Sequence, residues 1–273
     1  MIKLFRIELK RAFAHYNTKL AIFIGLMICL AHCTLVFPKA YQLMLAELQS
    51  DYPLKNIITA YDIWICGNQG HITSYIYFII IPILATLPYG TSYFSDMKKG
   101  YINQLVTRTS KSKYLITKYL VCFILGGGVT VFPLILNLVI AGMIFPMTTP
   151  MVASSYTAIR SVQFFGNLFY TQPLIYVFIG LFIVFVYSGL LATFGLFSSR
   201  YSNYEWIVLM TPFVLYLFLN SLFSLFDLYS WQPLMFLNLG YGIEEIIAVI
   251  VQIIGLAFIG IYGFLFKENN YDC

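Results

Sequence analysis

Residues 95–118 read SDMKKGYINQLVTRTSKSKYLITK, a polar and basic stretch set between two long apolar runs. Lys98, Lys99, Arg108, Lys111, Lys113 and Lys118 place six cations here against a single acid, Asp96. Tyr101, Ile102, Leu105 and Val106 recur at helical spacing, which predicts a short amphipathic helix. The flanking runs are long enough to cross a bilayer, so the stretch reads as a loop between two membrane spans, held on the cytoplasmic side by its charge.

The rest of the chain has the same character. Of 273 residues, 60% are hydrophobic and 10% charged, a composition that excludes a soluble globular domain of this size and predicts an all-α integral membrane protein. Six spans are expected near 20–37, 75–94, 119–145, 174–197, 206–226 and 246–266, none containing Asp, Glu, Lys or Arg. Gly126, Gly127, Gly128 and Pro133 predict a tilt or a break in the third span. Pro82, Pro88 and Pro212 predict kinks in the second and fifth. Ahead of them, residues 2–17 carry Ile2, Phe5, Leu9, Phe13 and Tyr16 on one helical face and Lys3, Arg6, Lys10 and Asn17 on the other. That is the pattern of an interfacial helix on the bilayer surface.

Lys and Arg set the expected orientation. With both termini inside, Lys3, Arg6, Lys10, Arg11, Lys19, the six loop cations, Arg200 and Lys267 are cytoplasmic. That is 13 of 16 cations, leaving only Lys39, Lys55 and Arg160 outside. The first apolar run reads as a retained anchor in the cytoplasmic membrane. The outer connections, 38–74, 146–173 and 227–245, are rich in apolar residues. The last reads either as a re-entrant element or as an ordinary interfacial loop, with Tyr229 and Trp231 as anchors. Cys29, Cys33 and Cys122 fall in apolar runs, and Cys66 is expected to face outward, so an intrachain disulfide is not expected.

Absent motifs narrow the function. There is no Gly-Lys pair, hence no Walker A phosphate loop; no His-Glu-x-x-His among the three histidines; and no Gly-x-Ser-x-Gly nucleophile elbow. Glu244 and Glu245 read as first-turn acids of the last span rather than as paired catalytic acids. Cys29, His32 and Cys33 lie within one helical turn, but the ligand set for a metal is incomplete, and they read as packing residues. No catalytic, cofactor or metal residue is expected in this chain. Spans without ionisable groups argue against an ion-coupled carrier and against an intramembrane enzyme. Asn137, Thr211 and Asn220, with Ser188, Thr193, Ser221 and Gln252, are the neutral polar residues left to line a pathway or to bond between helices.

This layout resembles the permease subunits of ATP-binding-cassette exporters of the type 2 permease class, over essentially the full length. The stretch KLFRIELKRAF, with Glu8 amid cations, is similar to that family's cytoplasmic elbow helix. Asp96, Gly100, Leu105, residues 107–110, Lys111, Lys113 and Lys118 follow the outline of its coupling loop between spans two and three. The family's Glu two positions before the glycine and the Pro in the break are absent here; Arg108 stands near the latter position. The resemblance implies a homodimeric pore with both termini cytoplasmic and a separate cytoplasmic ATPase subunit that carries ATP and Mg. Coupling would run through Glu8, Asp96, Lys98, Lys99, Gly100, Leu105 and Arg108. A hydrophobic or amphipathic cargo follows, with an antimicrobial or other peptide as the leading expectation; no nucleic-acid partner is implied. The competing reading is an ATP-independent channel or scramblase-like pore.

Overall fold

The computed structural model describes residues 2–50, 57–68, 70–102, 110–151, 159–161 and 163–266. Among them the chain is helical, and one isolated bridge, Phe164 to Ile243, is the only strand-like pairing. Eleven α-helices are described: α1 Ile2–Ala14, α2 Tyr16–Gln49, α3 Ala60–Ile63, α4 Ile72–Thr86, α5 Ser92–Lys98, α6 Lys111–Ile144, α7 Gly166–Thr171, α8 Pro173–Ser198, α9 Glu205–Leu225, α10 Pro233–Leu237 and α11 Ile246–Ile261. Five helical stretches are long and apolar enough to cross a membrane: α2, α6, α8, α9 and Ile246–Leu265. The sixth expected span is the 15-residue α4. Pro88 has no N–H to donate back to Leu84, so the helix stops at Thr86 and a turn leads into α5.

Two helices run longer than the sequence suggests. Both α2 and α6 have 34 residues, or about 51 Å at ~1.5 Å per residue. Helix α2 continues through Pro38 into 40–49 (AYQLMLAELQ), a run of strong helix formers, so residues 38–49 are helix and not connecting loop. Helix α6 passes the three glycines and Pro133 without a break. Its glycines serve packing instead. A Cβ on Gly126 would collide with Ala192 of α8 and come to 3.0 Å from the Ala85 carbonyl; one on Gly127 would come to 2.5 Å from the Phe185 carbonyl. Bare backbone thus lets α6 and α8 form the most extensive helix pair of the bundle.

Polar side chains inside the bundle bond to neighbouring helices. Thr130 and Ser188 hydroxyls meet at 2.7 Å, and Tyr77 donates to the Thr130 carbonyl at 2.5 Å. At one end the connections fold inward. Ile58 through Cys66 are almost wholly buried, and Cys66, expected to face outward, has no exposed surface. The cause is backbone pairing: Gly240 N–H donates to the Cys66 carbonyl at 2.6 Å and Ile65 N–H to Asn137 Oδ1 at 2.8 Å. The 227–245 segment belongs to the same cap. Two short 3-10 turns flank α10, with Phe236, Leu237, Leu239 and Ile243 buried and Phe236 edge-on to Tyr187.

Candidate functional site

The opposite end holds the sequence's basic stretch. Helix α1 ends where His15 takes an extended conformation (φ −68°, ψ 138°) and caps α2 through Nδ1, which accepts from Asn17 N–H at 3.3 Å. Thr18 Oγ1 donates back to the Ala12 carbonyl at 2.6 Å and fixes the bend. The helix is turned so that Glu8 and Ala12 are buried, while Ile2, Ile7 and Phe13, like Tyr16 at the start of α2, are exposed. The apolar stripe read from the sequence is therefore split. Leu4, Phe5 and Leu9 pack on a core of Ala85, Tyr89, Tyr93, Tyr114, Leu115 and Phe264, and the remainder faces outward.

Into that core the chain brings two acids and two cations. Lys118 of α6, with no exposed surface, lies 2.7 Å from Asp96 Oδ2 and 3.2 Å from Glu8 Oε2; both carboxylates are themselves wholly buried. Arg11 reaches Asp96 Oδ1 at 2.6 Å and Oδ2 at 3.3 Å, a forked pair. The Tyr114 hydroxyl donates to Asp96 Oδ2 at 2.7 Å, and the Tyr89 hydroxyl donates to Glu8 Oε2. Lys118 Nζ bonds the Tyr89 oxygen at 3.0 Å and sits 4.3 Å from the Tyr89 ring centre. The formal charge of the four is zero, which is what makes so many buried ionic groups tolerable. Burial pushes the Asp96 carboxyl up. The Lys118 charge and the hydrogen bonds from Arg11, Lys118 and Tyr114 outweigh burial, and Asp96 is held below the usual carboxylate range.

The expected site residues divide accordingly. Glu8 and Asp96 are brought together, but inward: they touch this chain's own cations and present no surface. Lys98 and Lys99 are exposed at the end of α5, Lys98 lying over the Phe94 ring at 4.6 Å. Gly100 follows at φ +66°, a left-handed conformation that suits glycine and ends α5. Leu105, Arg108 and the second half of the expected coupling helix lie outside the described residues. Sequence reasoning did not place Arg11, Lys118, Tyr89 or Tyr114 among the coupling residues, reading Arg11 only for orientation and Lys118 only for orientation and the outline of the loop. The signal was the placement of one acid in each of two basic segments, each of which needs a nearby cation once buried.

The three candidate pathway residues are dispersed. Asn137 is buried and structural: Oδ1 holds Ile65 N–H, and Nδ2 lies 3.2 Å from Cys33 Sγ. Thr211 bonds its own helix at Ile207 O (2.7 Å) and borders an apolar groove with Trp206, Met210 and Phe218. Asn220 joins α9 to α10, accepting from Leu234 N–H at 3.0 Å. His32 engages both ring nitrogens, with Thr73 Oγ1 at 2.6 Å and the Ile63 carbonyl at 2.8 Å. Among the described residues no cluster of three His, Cys, Asp or Glu is placed to hold a metal ion.

Comparison with the profiles of known protein families, with curated proteins and with solved structures found no match to this chain.

Proposed function

We propose that the chain is the membrane-spanning subunit of an ATP-driven exporter, crossing the cytoplasmic membrane six times with both termini inside. It works as a pair, and each copy receives a separate ATPase subunit that binds ATP and Mg. One observation carries this reading. The interfacial helix α1 is locked to α5 and to the base of α6 by the Glu8–Arg11–Asp96–Lys118 cluster, directly beside exposed Lys98 and Lys99. Such a base moves as one body. A push delivered at α1 or α5 reaches the full length of α6 instead of being lost in a loose loop, as a population shift between two packings requires. The inward-facing acids act through the geometry they hold, and the outward lysines are the groups left to meet acids on a partner. An aromatic-rich bundle whose expected spans carry no Asp, Glu, Lys or Arg suits an amphipathic cargo such as a peptide.

The test is affinity purification of the full chain in mild detergent, with mass identification of bound proteins and an ATPase assay on the eluate. A stoichiometric nucleotide-binding subunit is expected, with its retention reduced at least tenfold by Lys98→Glu with Lys99→Glu while the permease itself stays monodisperse. A preparation with neither that subunit nor ATPase activity overturns the proposal.

A further inference from the structure

The cap holds a small pocket of about 100 Å³ between the Tyr229–Trp231 turn, α10 and the chain leading into α11. Three aromatic residues line it, Tyr229, Phe236 and Tyr241, together with Met235, Ser230 and Glu244. Contacts outside the pocket hold this lining in place. Tyr229 donates to Asp227 Oδ1 at 3.2 Å, Phe236 is buried edge-on to Tyr187, and the Tyr241 carbonyl accepts from Gln163 Nε2 at 3.1 Å. Gly242 turns the chain at φ +75°, a conformation that favours glycine, and a Cβ there would collide with the Gln163 side chain. Of the two neighbouring acids, Glu245 is engaged, accepting from Trp231 Nε1 at 3.1 Å. Glu244 is exposed and has no hydrogen bond or ion pair among the described residues.

Size and lining together select the occupant. The pocket takes a compact head and not a drug-sized molecule, whose sites start at roughly 300 Å³. An anion finds no counter-charge: no Lys or Arg occurs from 201 to 266, and Arg160, tied to this region through Gln163, does not border the pocket. A wholly apolar group would desolvate the Glu244 carboxylate without compensation. A hard metal ion needs several oxygen ligands, and the lining offers one carboxylate. An organic ammonium satisfies both features, since aromatic rings attract a cation through their faces and the carboxylate balances its charge. We propose that this pocket binds an organic ammonium group, with its methyl or methylene shell among Tyr229, Phe236 and Tyr241 and its charge answered by Glu244. Next to the lining in the chain, Leu228 and Ile247 are exposed and apolar. In a bilayer such residues meet lipid, so the head of a zwitterionic phospholipid is one source of the ammonium and a soluble amine is the other. The inference uses no part of the export reading.

Binding is read by saturation-transfer NMR on the methyl protons of choline, with the full chain in maltoside detergent at fixed ionic strength. Saturable binding is expected, with dimethylbutanol, the uncharged carbon isostere of choline, bound at least about tenfold more weakly. Glu244→Gln should weaken choline binding about tenfold and Tyr229→Leu about fivefold. Tyr229→Phe, which keeps the ring, should hold it within about twofold. Both side chains are exposed, so the melting temperature of each variant should stay within about 2 °C of the parent. In nanodiscs the source is read from the part of the signal that Glu244→Gln removes. Its loss in phosphatidylcholine and retention in phosphatidylglycerol identify a lipid head as the resident ammonium; equal signals in both support a soluble one. Equal binding of dimethylbutanol, or choline binding unchanged in Glu244→Gln and Tyr229→Leu, overturns the proposal.

Discussion

Lys118 is a charged side chain with no exposed surface, shared between two buried carboxylates. Replacing it with Met removes the cation, leaves buried Glu8 with only the Tyr89 hydroxyl and Arg11 at 3.8 Å, and leaves Asp96 to Arg11 and Tyr114. The expected loss is about 3–5 kcal/mol, the range seen when one member of a buried ion pair is deleted, measured by chemical unfolding in detergent. The exposed Lys99→Met is expected to change stability by less than ~0.5 kcal/mol. The acid response has a definite sign. Asp96 is held below the usual value of ~3.9, so its contribution is present above that pH and is lost as pH falls through its lower folded value. The melting temperature should be flat from about pH 5 to 8 as far as Asp96 is concerned, and should drop below about pH 4; a drop that Asp96→Asn leaves unchanged would assign it to other groups. This cluster was only half legible in the sequence. Glu8 and Asp96 stood out as lone acids, but their direction did not, because a cation 22 residues along the chain from Asp96 answers it from another helix. Lys118 was read only as one of the orienting cations and as the lysine that enters the third span in the coupling-loop outline.

At the scale of elements, the seam of α6 and α8 makes an uneven prediction across three neighbouring glycines. Gly126→Ala must force α8 or Ala85 aside, at an expected cost of about 1–3 kcal/mol. Gly128 has open space around a Cβ, so Gly128→Ala should be neutral or stabilising by up to ~1 kcal/mol. Thermal unfolding of the two variants separates them, and equal effects would discount the seam. Sequence alone read the glycine triplet as a place for a tilt or a break, and the helix does not break there. Burial decides otherwise, because backbone approach rewards the missing side chains on one face while the helix bonds persist. Two of the long apolar helices were legible to within one residue: α8 and α9 run 173–198 and 205–225 against the expected 174–197 and 206–226. The continuation of α2 to Gln49 was not, since Pro38 resembles a stop; a proline costs one backbone bond, and strong helix formers beyond it outweigh that.

For the whole molecule, the two ends are chemically distinct: a basic base carrying an internal ion cluster, and a cap of infolded connections around Trp64, Cys66 and Leu239. The proposed orientation puts the base inside the cell. A cysteine at Leu45, on the exposed part of α2, should react with a membrane-impermeant maleimide on intact cells, and one at Lys99 only after lysis. The opposite pattern would invert the chain. Cys29, Cys66 and Cys122 are buried and should contribute little background. The cap was the least legible part of the fold: Cys66 was expected to face outward, yet the partner that buries it, Gly240, lies 174 residues further along the chain, a pairing no local pattern announces.

The length of α6 adds a mechanical consequence. The helix is gripped near its start through Lys118 and meets the cap through Asn137, and it is about 51 Å long at ~1.5 Å per residue. As a rod pivoting at its foot, it turns a tilt of about 5° into roughly 4 Å of sideways travel at the far tip. That exceeds the reach of any single hydrogen bond in the cap. Leverage of this kind sets the cap's contacts against the base's grip, so stiffness at Asn137 and Ile65 governs how much rotation the foot can make before the top must let go.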